Sequence, residues 1–357
     1  MNEVERALRS QVEALTATGA CFLLGWLSGT VVLWGDPRPF TGPSSVILVM
    51  ALITGLISAT AFGASAVWHR SGEARPMPHW QIFISSVSTV AVAVTLGSVT
   101  GLGMLLLGEI LTTGLPGLEL GAIGGGIFVG IAAAVAGRFG FQTGVSVSTR
   151  NLTSLLFTFL VIGTLFAMTT ATDPTWWQRN FSQLGAGGSA WAFNGTLMIA
   201  GALVSTIGSY IGRDLHRLLG DGQLRRIGTT VLLWAFAGLA LATVGMLPLH
   251  SLPLPHTIAA FLTLALLVAS AVLTTLTLPD PPLVLRMVTV ITAVVAVGAI
   301  VATFFVPVIS VTVLESLVVG VMLLWLTTLT RVLCILVPNV SRPSRRRLVS
   351  ADPAQVN

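Results

Sequence analysis

A polytopic all-α bundle of about ten membrane-spanning helices is the architecture this sequence predicts, and three observations predict it. Apolar residues make up 54% of the 357-residue chain and charged residues only 9%, against about 25% charge in ordinary soluble domains. The apolar residues fall into runs of about 20, the length an α-helix needs to cross the hydrocarbon of a bilayer. The arginines sort to one side once those runs are threaded through a membrane. A soluble chain with a mean hydropathy of +0.90 could not cover its surface with polar groups, so lipid is its expected solvent.

Residues 1–14, MNEVERALRSQVEA, are assigned to the cytoplasm. They set Glu3, Glu5 and Glu13 beside Arg6 and Arg9 and lack the basic start, short apolar core and small-residue cleavage site of a removable signal. The first apolar run is therefore expected to stay as a helix. An N-terminal four-helix membrane region, 15–137, holds runs at 15–34, 44–68, 80–108 and 118–137. The third continues through GSVTGLG (97–103) toward Glu109, longer than a bilayer requires, and is expected to be tilted, broken or partly interfacial. The fourth carries Gly121/Gly125 and Gly126/Gly130 at four-residue spacing. Such pairs let a neighbouring backbone approach closely, within the bundle or, as a sharper alternative, at a homodimer face.

Six more runs, at 152–171, 190–212, 227–247, 256–278, 287–306 and 312–336, make a second membrane bundle over 152–336. The tail 338–357 is basic and expected to be disordered. Its Arg342, Arg345, Arg346 and Arg347 would be drawn to anionic lipid heads, at about 1 kcal/mol each.

Arginine placement tests the count. With ten spans and both termini cytoplasmic, sixteen of the eighteen arginines fall inside and only Arg38 and Arg179 outside, as the positive-inside rule requires. The sequence has no lysine, and that bias hints at a GC-rich bacterial genome. The expected location is the plasma membrane. The high isoelectric point reflects this one-sided arginine and not nucleic-acid binding. Cys21 and Cys334 both lie in apolar runs, so no disulfide framework is expected.

Two outer loops share a pattern. WGDPRPFTGPSSV (34–46) and TDPTWWQRNFSQLGAGGSAW (172–191) each place Asp-Pro before a small-residue turn and an inward-going helix. A parallel repeat and convergent turn chemistry both account for it. In the second loop Trp176 and Trp177 suit the headgroup layer, and Ser182 or Ser189 is placed to cap the returning helix. Asn194 would lie a turn inside the membrane, where an amide needs partners.

FSQLG (181–185), then WAFN (191–194) opening a helix with Ala200-Gly201 soon after, resembles the membrane family catalogued as domain of unknown function 998. PLHSLPLPHTIAA (248–260) is similar to a second region of that family. The resemblance implies a six-helix bundle, distantly similar to Frag/DRAM-like membrane proteins, over roughly residues 152–336. It implies no reaction.

Asp173, Trp177, Arg179, Ser182, Asn194, His250 and His256 are the candidate lining of one external pocket, if the loops between spans five and six and between seven and eight meet. Glu315 begins the last span and is expected near water or bonded to a neighbouring element. The expected role is non-enzymatic binding or transport of a small molecule or lipid, with membrane lipids as partners. Transport draws on midmembrane polar groups and the interrupted third span. The alternatives are an accessory scaffold for envelope assembly and a metal-dependent intramembrane hydrolase. The hydrolase rests on two histidines, an aspartate and a serine on one side, a set similar to that of the alkaline-ceramidase-like enzymes. Zinc needs three protein ligands and a water, while His250 and His256 lie six apart across two prolines. No metal site, no catalytic set and no cofactor is assigned. No phosphate loop, H-E-x-x-H, G-x-S-x-G or C-x-x-C occurs.

Overall fold

A computed structural model describes residues 3–70 and 79–337. Arg342, Arg345, Arg346 and Arg347, with the lipid contact expected of them, lie outside the described residues. Among the described residues ten α-helices follow in order: α1 (Glu3–Val32), α2 (Val46–Arg70), α3 (His79–Leu111), α4 (Ala122–Val145), α5 (Thr149–Thr169), α6 (Ala190–Leu219), α7 (Leu224–Met246), α8 (Pro253–Thr277), α9 (Leu283–Phe304) and α10 (Val311–Leu336). Each contains a stretch long and apolar enough to cross a membrane. The chain is a multi-pass all-α membrane protein.

Four helices depart from the limits or shape drawn on hydropathy, and one of them, α4, runs through Arg138 to Val145 instead of ending at 137. The charged N-terminal stretch is helical from Glu3, because polarity marks where lipid ends and not where hydrogen-bonded helix ends. α6 runs past the apolar stretch to Leu219. α3 is unbroken over 33 residues, about 50 Å at 1.5 Å per residue. Its glycines serve contact instead of interruption: a side chain at Gly97 would meet the Gly55 carbonyl of α2 at 3.0 Å.

The chain divides into two compact units. Of the described residues, the first comprises 3–70, 79–147, 155–172 and 187–199, and the second 148–154, 173–186 and 200–337. In the first, α4 packs against α1 and α2, and α2 also against α3. Gly125 of α4 faces Leu33, Gly126 faces Thr30, and Gly130 faces Trp26 and Phe22. These glycines are therefore used inside the unit. The loop after α1 forms β1 (Arg38–Pro39), which pairs antiparallel with β2 (Glu119–Leu120). Phe40 donates its N–H to the Leu118 carbonyl at 2.8 Å, and Ile47 donates to the Phe40 carbonyl at 3.1 Å. Phe40 is buried with Leu33, Val46, Ile47, Met50 and Val129.

In the second unit α7 packs on α8 and α9 on α10. On α8 most of the buried side chains are polar and several large apolar ones face outward. α8 buries His256, Thr263, Ser270, Thr274, Thr275 and Thr277 while Ile258, Leu262 and Leu276 stand exposed. That inversion suits lipid, where inter-helix hydrogen bonds and close packing replace the hydrophobic drive. Trp234 of α7 donates its indole N–H to Thr274 at 3.1 Å, and Trp325 of α10 donates to Thr289 of α9 at 2.8 Å. The two indoles stack with centroids 5.9 Å apart. Each such bond adds about 0.6 kcal/mol between membrane helices. At Gly201 of α6 an added methyl would overlap the Gly238 carbonyl of α7, and Ser205 donates across this close approach to the Ala235 carbonyl at 3.2 Å.

Candidate functional site

The connection from α5 to α6 is built from its turn chemistry. Asp173 precedes Pro174 and accepts the Thr175 N–H at 2.8 Å and the Thr175 hydroxyl at 2.7 Å, an aspartate turn of the usual kind. Arg179 reaches back and pairs with the same carboxylate. The Thr175 hydroxyl first, then the Thr175 N–H and Arg179, hold the Asp173 carboxyl below the ordinary aspartate range. Two short 3-10 helices follow, Trp176–Gln178 and Phe181–Gly185. The rings of Trp176 and Phe181 pack at 5.2 Å, while Trp177 is 56% exposed. Further on, Gly187 takes a φ of +81°, where a side chain would be strained.

Side chains from the starts of α8 and α10 fasten this loop at three points. Thr312 donates its hydroxyl to the Trp177 carbonyl at 2.8 Å. The Phe181 N–H donates to Oε2 of Glu315 at 2.7 Å. Oγ of Ser182 lies 2.9 Å from Nε2 of His256, whose Nδ1 lies 2.6 Å from the Leu247 carbonyl oxygen. His256 is buried at 4% exposure.

The tautomer of His256 follows from its partners. A carbonyl oxygen can only accept, so Nδ1 carries the proton and donates it to Leu247. In the neutral ring Nε2 is then an acceptor, and the Ser182 hydroxyl donates to it. Between the first of these fastenings and the other two sits Asn180, whose Oδ1 is buried and has no hydrogen-bond partner.

Of the residues expected to line an external pocket, Asp173 and Arg179 meet each other, and Ser182 meets His256. Trp177 belongs to the same loop through its carbonyl. His250 is exposed in the turn before α8. Asn194 is partly buried on α6 and belongs to the first unit, whereas the others belong to the second. Of the two serines expected to cap α6, Ser182 is on His256, and Ser189, directly before α6, donates its hydroxyl to the Thr170 carbonyl at 2.6 Å. Glu315 is bonded to a loop N–H, as expected of a carboxylate at that depth.

Sequence reasoning missed Thr312, the Phe181 N–H and the Leu247 carbonyl. Nothing in the sequence marks a threonine or two backbone groups as partners. It also missed Asp214, which accepts the Thr149 hydroxyl and lies 3.5 Å from Arg213 Nε and 3.9 Å from Arg217. A lone acid between arginines near the end of an apolar run was the available signal. Among the described residues no three His, Cys, Asp or Glu side chains come together to hold a metal ion.

Comparison with known proteins adds one finding. No curated protein and no solved structure matches the chain. A family model described as a protein of unknown function matches residues 154–332, half of the sequence, and bears out the likeness read from FSQLG, WAFN and PLHSLPLPHTIAA. The fastened loop, the start of α8 and the start of α10 all fall inside that match, and on this ground the chain belongs to the family of proteins of unknown function DUF998.

Proposed function

We propose that this membrane protein binds a small amphiphile or lipid headgroup that carries hydrogen-bond donors, at the loop fastened to α8 and α10. The buried, partnerless Oδ1 of Asn180 carries this reading. A buried acceptor without a donor costs about 1–3 kcal/mol, and native proteins leave few of them. A ligand N–H or O–H would recover that loss. Charge supports the same chemistry. The cation of the loop, Arg179, is neutralised by Asp173, while Glu315 brings a carboxylate beside Asn180 through the Phe181 N–H. Donor-rich or cationic groups therefore suit the loop better than anions do.

The arginine asymmetry supports an outward-facing loop in a bacterial plasma membrane. Binding is favoured over transport, because an unbroken α3 removes the discontinuous-helix argument for a transport path.

The test compares headgroups that differ only in their donors. The full chain is placed in nanodiscs of phosphatidylethanolamine, whose ammonium donates, or phosphatidylcholine, whose quaternary nitrogen cannot. The expected result is a higher unfolding temperature in phosphatidylethanolamine, with the difference lost in Asn180→Leu. Free ethanolamine added to the phosphatidylcholine discs separates a soluble amine from a lipid headgroup. Equal stability in both lipids, with no response to free amine, overturns the reading.

A further inference from the structure

We propose that Ser182 is a nucleophile activated by His256, and that it takes the acyl group of a membrane-lipid ester. This goes beyond the binding reading, since it needs only Ser182, His256 and the Leu247 carbonyl and does not depend on Asn180. The geometry has the three parts an activated serine needs: a hydroxyl, a base within hydrogen-bond reach, and a third group that orients the base. Ser182 Oγ lies 2.9 Å from Nε2, and Nδ1 is held at 2.6 Å by a backbone carbonyl. Because that carbonyl fixes the proton on Nδ1, Nε2 of the neutral ring presents its lone pair to the serine. The loop is also fastened by Glu315 and Thr312, so the Ser182–His256 contact is not its sole anchor.

Surroundings indicate the substrate class. Ser182 is partly exposed while its base is buried, so the hydroxyl can be reached. Leu252, Leu254 and Ile258, which flank His256 at the start of α8, are exposed apolar side chains. In a membrane such residues lie against acyl chains, and the exposed Trp177 of the serine's own loop suits the headgroup layer. An ester at the headgroup–chain boundary meets both.

The step balances without a metal or redox partner. Oγ of Ser182 bonds to the ester carbonyl carbon and its proton passes to Nε2 of His256. The carbon–alkoxy bond then breaks, the alcohol leaves with that proton, and an acyl-serine remains. Water, or a second alcohol, takes the acyl group while its own proton returns through Nε2 to Ser182.

The experiment is active-site labelling of the full chain in nanodiscs with a fluorophosphonate, which bonds to a nucleophilic serine as fluoride departs. Stoichiometric labelling at Ser182, located by mass spectrometry, is expected. It should vanish in Ser182→Ala and slow at least tenfold in His256→Gln. Because His256→Gln perturbs a buried contact, a Ser182→Cys variant in a Cys334→Ser background supplies an independent readout. Its thiol should be alkylated by iodoacetamide at least tenfold faster when His256 is retained than when His256→Gln is added. No labelling of the native chain, or labelling of some other serine, overturns the proposal. So does a thiol whose reactivity ignores the His256→Gln change. Labelling at Ser182 with no headgroup preference in the stability test would retire the donor-binding reading and leave the nucleophile standing.

Discussion

The two loops with an Asp-Pro turn are held by different means. The loop after α1 is clipped by backbone: β1 pairs with β2, Phe40 donates to Leu118, and Ile47 donates to Phe40. Its side chains fill a small apolar cluster. The loop after α5 has no strand pairing, and Thr312, Glu315 and His256 of other helices reach its backbone and Ser182. A backbone clip is therefore enough to secure a loop of this kind. Carboxylate and imidazole at membrane depth are costly. Here Glu315 does for the second loop what strand pairing does for the first, and the His256 imidazole is added to a loop that Glu315 and Thr312 also hold. The difference points to chemistry in the second loop and architecture in the first.

That contrast can be broken residue by residue with amide hydrogen exchange on the nanodisc-embedded chain. The largest effect is expected from Glu315→Leu. It strands the Phe181 N–H, at a cost of about 1–3 kcal/mol, so amides across 176–185 should exchange roughly ten- to a hundredfold faster while Phe40 is untouched. If Phe181 stays equally protected, the side-chain fastening is not what holds the loop. Thr312→Val removes one neutral bond to the Trp177 carbonyl and should cost about 0.5–1 kcal/mol, read as a two- to fivefold change confined to the first 3-10 helix.

A pH titration sharpens the same comparison. Asp173 has its carboxyl held below the ordinary range, so its bonds to Thr175 and Arg179 stabilise the turn at all pH values above about 3.9. That contribution is lost as pH falls through the lowered value, because the unfolded chain then binds the proton first. After correction for intrinsic exchange, the Thr175 and Arg179 amides should be flat from neutral pH down to about 4 and lose protection below it. Asp173→Asn should erase that acid step. The smallest effect is expected from Arg38→Ala, within about 0.5 kcal/mol, since the first loop is secured by backbone groups that survive the substitution. Loss of Phe40 protection in this variant would show that the first loop depends on side chains as well.

Ten membrane helices were legible because lipid imposes one requirement, about 20 apolar residues, that composition displays directly. Helix ends were less legible. α1 begins among Glu3, Glu5 and Arg6, and α6 continues through Arg213, Asp214 and Arg217, so charge marked the end of lipid and not of helix. The third run, which continues through GSVTGLG beyond the length a bilayer requires, suggested a tilted, broken or partly interfacial helix. The helix is unbroken, with Gly97 set against Gly55 of α2. In the candidate site Asp173, Arg179, Ser182 and His256 stood out as polar residues on one side. Their pairing did not, because Ser182 and His256 are 74 residues apart and Phe181 and Glu315 are 134 apart. Of the four spaced glycines read as a contact face, Gly125, Gly126 and Gly130 face Leu33 and α1, while Gly121 has nothing within contact distance.

The stacked indoles of Trp234 and Trp325 give the second unit an optical signature of its own. Two buried chromophores at 5.9 Å, each oriented by a hydrogen bond to a threonine, couple electronically and should produce a paired band in near-ultraviolet circular dichroism. That band depends on α7 and α10 being brought together in the folded unit. It would report tertiary assembly in detergent or lipid without any added label, and Trp325→Phe would remove it.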